Sequence, residues 1–143
     1  MNKFAVSSCE LCASTGGELL WQNELCRVVL AADPDYPGFC RVILNRHVKE
    51  MTDLDTATRE RLMRVVYAAE QALRQHMQPE KINLASLGNM VAHLHWHVIA
   101  RFADDKHFPG SIWGEAKRAG APKPVDIDAL RRTLHQLLQP AEA

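Results

Sequence analysis

Apolar residues along this chain change their spacing more than once. Leu19 to Gln22, Leu25 to Ala31 and Phe39 to Asn45 are short apolar runs separated by turn-forming clusters. Bounded in this way, such runs read as strands. Asn23-Glu24 makes the first turn. Asp33-Pro34-Asp35-Tyr36-Pro37-Gly38 makes the second, because proline fixes φ and glycine tolerates a positive one. Short connections of this kind predict an antiparallel meander. The apolar spacing then becomes three and four: Leu62, Val65, Val66, Ala69 and Leu73 mark one face of an amphipathic helix. Thr52 or Asp53 is its expected N-cap, and Pro79 stops it after about Met77. Lys81 to Leu87 returns to a strand, Gly88-Asn89-Met90 is a tight connection, and His93 to Arg101 is the fifth strand. Beyond an irregular stretch over 104–120, Ile127, Leu130, Leu134, Leu137 and Leu138 form a last helix, with Asp126 as N-cap and Pro140 as its end. The expected fold is α+β: a five-stranded antiparallel sheet with a long helix on one face and a C-terminal helix. We expect a single domain over 1–143, with its core at about 9–113 and the last helix at about 126–139.

The fifth strand carries the most distinctive pattern. His93, His95 and His97 stand at every second position, with Leu94, Trp96 and Val98 between and after them. A strand has a side-chain period of two, so the three imidazoles share one face and the apolar residues enter the core from the other. A helix would scatter the histidines over a wide arc. Packing gives no reason to repeat imidazole three times. Two chemistries do: the histidines ligate a catalytic metal, or one is a nucleophile whose neighbours bind the charged group under attack.

Charge narrows the partners. Lys plus Arg and Asp plus Glu both total 17, for a net charge of zero. A general nucleic-acid or anionic-membrane binder would show a basic surplus. No apolar run is long enough to span a bilayer, and the N-terminal residues lack a signal-peptide core. The cytoplasm is therefore the expected compartment. A disulfide framework is not expected there. Cys26 and Cys40 lie in strand-like runs and read as small buried hydrophobes. Cys9 and Cys12 form a C-x-x-C pair, half of a zinc signature that needs two further ligands.

The segment His93-Leu94-His95-Trp96-His97-Val98-Ile99 fits the motif H-φ-H-φ-H-φ-φ, where φ is apolar. On this motif and the order of elements, the chain resembles the histidine triad (HIT) family from about Cys9 to Trp113, and its bacterial hydrolases in particular. The resemblance implies hydrolysis or transfer at the α-phosphate of a purine nucleotide phosphoramidate or diadenosine polyphosphate. His95 would be the nucleophile that forms a covalent nucleotidyl-histidine. His97 would contact the α-phosphate and assist the leaving group, with no catalytic metal. Asn83, Gly88 and Asn89 would bind the nucleotide together with His97. Cys9, Cys12, His47 and His93 would hold a structural zinc. Met90 stands where many relatives have serine, and His107 to Trp113 resembles a segment that often reaches the partner's site in a homodimer. Two rivals stand beside this: a nucleotide-binding regulatory protein with little turnover, and a metal-dependent hydrolase built on the three histidines.

Overall fold

The computed structural model describes residues 6 and 8–139. A single α-helical turn, α1 (Glu10–Ala13), leads into β1 (Glu18–Gln22), β2 (Cys26–Leu30) and β3 (Cys40–Leu44). The long helix α2 (Thr56–Met77), β4 (Lys81–Ala85), β5 (His95–Arg101) and α3 (Ile127–Leu138) follow. The strands form one antiparallel sheet in the order β1-β2-β3-β5-β4. The α+β architecture expected from the sequence is therefore present. β5 enters between the meander and β4, so the histidine strand lies inside the sheet with a neighbour on each side.

Alternation gives the sheet two unlike faces. Cys26, Val28, Cys40, Val42, Leu44, Val98 and Ala100 point to one and are buried. They pack against Leu62, Val65, Val66, Ala69 and Leu73 of α2 and Leu130, Leu134 and Leu138 of α3. Burial pushes the Cys40 thiol up to about 12, so it is inert packing material. The opposite face is covered only in part. Leu11 of α1 packs on Val29 and Ile43 at one place. Ile112 packs with Ala31, Tyr36, Phe39 and Ile99 at another. The triad histidines lie on this second face.

Three boundaries differ from expectation by two residues or more. Asp55, not Thr52 or Asp53, caps α2, accepting from the Thr58 N–H at 2.8 Å. Thr52 and Asp53 instead belong to a 3-10 turn, Met51–Asp53, in which the Asp53 carboxylate accepts from the Glu50 N–H. Leu54 is extended between the two and buried, so its anchoring in the core separates turn from helix. β5 starts at His95 rather than His93, because the Leu44 carbonyl takes the His93 ring N–H at 2.6 Å. β4 ends at Ala85 rather than Leu87, where Ser86 Oγ turns to donate to the His95 carbonyl. The Asp126 cap of α3 is as expected, accepting from the Ala129 N–H. Pro140 lies outside the described residues.

Candidate functional site

Two groups of side chains meet at the start of β5. The first is a thiol–imidazole cluster. Cys9 precedes α1, and its carbonyl accepts from the N–H groups of Cys12 and Ala13. That helical turn puts the two thiols side by side. Arg27, buried in β2, clamps the end of the turn by donating to the Leu11, Ser14 and Thr15 carbonyls. The loop after β3 supplies His47, and the residue two before β5 supplies His93. His93 Nδ1 is 3.4 Å from both Cys9 Sγ and Cys12 Sγ, and His47 Nδ1 is 3.4 Å from Cys12 Sγ. All four ligand atoms lie within 4.8 Å of one another.

These residues fit a tetrahedral ion. Zinc bonds of 2.0–2.3 Å to nitrogen and sulfur place ligand atoms about 3.4–3.8 Å apart. Because a carbonyl can only accept, the His93 Nε2 carries the proton and Nδ1 turns a lone pair toward the sulfurs. A ring N–H bound to a backbone carbonyl is the usual support of a metal-ligating histidine. The cluster can therefore hold a metal.

The second group is the pair His95 and His97. His95 Nδ1 donates to the His93 carbonyl at 2.6 Å. That fixes its tautomer and leaves Nε2 with a lone pair and no hydrogen-bond partner among the described residues. The His97 ring lies 4.9 Å from that of His95, 4.9 Å from Trp113 and 5.5 Å from Phe39. Burial, the neighbouring His95 and Arg41 together lower His97 to about 4, so it is neutral at pH 7. Its Nδ1 is buried with no hydrogen-bond partner among the described residues. Trp113 thus covers the His97 of its own chain.

The remaining expected positions are spread more widely. Asn83 is on the histidine face of β4, but its Oδ1 accepts from Arg101 at 2.7 Å. Gly88, at φ +76, makes the turn that brings the chain from β4 to the triad. Asn89 is exposed on that turn, and Met90 is 97% exposed.

Several residues that the sequence reading did not single out organise this face. Arg101 is almost completely buried and binds Asp105 through two nitrogens, at 2.8 and 3.1 Å. It also donates to the Gly110 carbonyl. Burial would raise the Asp105 carboxyl, but Arg101 and the N–H groups of Phe102, His107 and Phe108 outweigh it and hold it well below the usual range. The Tyr36 hydroxyl sits 3.1 Å from Asp105 and 2.7 Å from His107 Nδ1, and burial with the Asp105 charge pushes it up to about 12. This network pins the segment that carries Trp113 onto His97. Arg41 lies across from His97 in the β3–β5 pairing. One signal was available: Arg101 has the same strand parity as the three histidines.

An antiparallel sheet that presents alternating histidines beside a turn from the preceding strand defines the histidine triad class. The family model described as the HIT domain matches residues 15–104, more than half of the chain, and the chain belongs to that family. Among solved structures, a histidine triad protein from Bradyrhizobium japonicum is 27% identical, with a TM-score of 0.73 over 92% of this chain and 98% of its own. A histidine triad (HIT) protein from Sinorhizobium meliloti is also 27% identical, with a TM-score of 0.69 over 96% of both chains. A curated relative from Mycobacterium tuberculosis, named AP-4-A phosphorylase, is 28% identical over 104 residues, which is 68% of this chain and 53% of the relative. The chain spans about half the length of the curated relatives it matches. No helix among the described residues is long and apolar enough to cross a membrane.

Proposed function

We propose that this chain is a nucleotide hydrolase or transferase that cleaves at the α-phosphate of purine nucleotide phosphoramidates or diadenosine polyphosphates. His95 is the nucleophile in this reading. The observation that carries it is the fixed tautomer of His95, with Nδ1–H on the His93 carbonyl and a free Nε2 lone pair beside His97. A neutral imidazole so held is a nucleophile that needs no further activation. Nε2 attacks phosphorus and forms a P–N bond. The bond to the leaving group breaks, and the leaving group departs with the electron pair: a nucleotide leaves as its phosphate anion, and an amine takes its proton from water. Water then attacks the same phosphorus and releases the nucleotide and His95. His97, neutral near pH 7, serves by donating a hydrogen bond to the phosphoryl oxygen or the leaving atom rather than by delivering a full proton. Gly88 and Asn89 offer backbone N–H groups from the turn, and Asn83 offers its amide nitrogen. The AP-4-A phosphorylase relative supports a nucleotide substrate. The reading also takes the protein as a cytoplasmic homodimer, by analogy with the family.

The test is to quench the enzyme with alkali during turnover of an adenosine phosphoramidate or a diadenosine polyphosphate. The peptide that contains His95 should carry the mass of the nucleotide. An adduct on His93 would overturn the reading. A catalytic ion shared by the three histidines is disfavoured, because His93 turns its lone pair to the thiols and His95 spends Nδ1 on a carbonyl.

We further propose that Cys9, Cys12, His47 and His93 hold zinc. Four protein ligands leave no open position, so its contribution would be structural: it would bind α1 to the start of β5. Elemental analysis should find about one zinc per chain in freshly purified protein. Cys9→Ala with Cys12→Ala should lose the metal and lower the unfolding temperature. Full metal retention in that double variant would refute the site.

A further inference from the structure

Arg41 is the charge on the triad face that the chemistry above leaves unused. It is half-buried in β3, pairs in register with His97, and shares its face with His95 and His97. Its guanidinium donates to the Gly16 carbonyl at 3.1 Å and lies 5.6 Å from the centre of the Phe39 ring. Among the described residues no carboxylate pairs with it. The other arginines of this face each make four hydrogen bonds. Arg27 holds three carbonyls and the Asn45 side chain. Arg101 holds Asp105, Asn83 and Gly110. A guanidinium carries five N–H donors, and Arg41 gives the protein one of them. A partly desolvated cation without a counter-charge is costly to maintain. Beside it, His97 Nδ1 is buried and unpartnered. Two incompletely partnered residues, Arg41 and His97, therefore face each other across β3 and β5.

We propose that Arg41 holds a second phosphoryl group of the substrate, next to the one attacked at His95. The proposal rests on the reading of His95 as nucleophile. Ile43 pairs with His95 and Arg41 with His97, so Arg41 stands one same-face step, about 7 Å, along the strand from the row of the nucleophile. The attacked phosphorus must sit about 3–3.5 Å from His95 Nε2. In the sheet Arg41 faces His97, not His95, and its guanidinium is held by the Gly16 carbonyl and the Phe39 ring. A phosphoryl group next to the attacked one falls on the row of Arg41 and His97. The planar fork of arginine suits phosphate oxygens. This narrows the substrate class to nucleotides with at least two phosphoryl groups. The second can lie along the chain, as in a dinucleoside polyphosphate, or on the ribose.

Calorimetric titration of adenosine, AMP, ADP and adenosine 3′,5′-bisphosphate into wild type, Arg41→Gln and Arg41→Lys tests this. The wild type should bind ADP or the bisphosphate about tenfold more tightly than AMP. Preference for ADP places the second group on the chain, and preference for the bisphosphate places it on the ribose. Arg41→Gln should lose the preference, and Arg41→Lys should keep part of it. If Arg41→Gln does not fold, the ratio in Arg41→Lys decides, and it should fall by about threefold. An equal loss for all four ligands, adenosine included, would mean a base contact and overturn the proposal. A wild type that binds AMP with no preference overturns this proposal alone. One that binds no adenine nucleotide overturns the reading of the site as well.

Discussion

His95→Ala should lower turnover of a diadenosine polyphosphate by roughly a thousandfold or more while leaving nucleotide affinity within about tenfold of wild type. The asymmetry follows from what is removed. Covalent chemistry at Nε2 disappears, but the contacts available from Arg41, His97 and the turn at Gly88 remain in place. Among the described residues the His95 side chain makes one hydrogen bond, to the His93 carbonyl, so the fold should tolerate its loss. His97→Ala should be less damaging, because a hydrogen-bond donor is easier to replace by water than a nucleophile. Single-turnover kinetics with a parallel binding titration separates the two effects. Turnover of His95→Ala at a rate near wild type would sink the mechanism and return the three histidines to the metal-dependent reading.

Asp105→Ala should destabilise the protein by about 3–5 kcal/mol, the range for removing one partner of a buried ion pair. Both members are almost completely buried, with Arg101 2% exposed and Asp105 3% exposed. The substitution strands the Arg101 charge. It also deprives the Phe102, His107 and Phe108 N–H groups and the Tyr36 hydroxyl of their acceptor. The same loss should free the segment that lays Trp113 on His97. Urea unfolding measures the stability change, and the accessibility of Trp113 to a soluble quencher reports the loosened cover. Replacing Arg101 by Met as well should recover part of the stability, because the uncompensated charge is then gone. A loss below about 1 kcal/mol for Asp105→Ala would show that the network is not what holds the segment.

The sequence determined the elements of this protein because they are written locally. Period two in β5 and periods three and four in α2 identify strand and helix from neighbouring residues alone. Turn clusters separated β1, β2 and β3 for the same reason. The alternation of His93, His95 and His97 with Leu94, Trp96 and Val98 set which residues face the core, and the burial of Leu94 and Val98 agrees with it. Boundaries were less legible. Asp55 caps α2 because Leu54 is drawn into the core, and that attraction comes from the rest of the fold.

Only the tertiary structure decided what meets the triad. His47 and His93 are separated from Cys9 and Cys12 by long stretches of chain, and the sheet and the Arg27 clamp bring the four ligand atoms within 4.8 Å of one another. The pairing of Arg41 with His97 depends on the β3–β5 register, which no local pattern encodes. Arg101 shares the parity of the histidines, but its partner Asp105 and the placement of Trp113 depend on how the following segment folds back. A strand's own alternation fixes which face a side chain takes; what lies across from it is fixed by packing between distant segments.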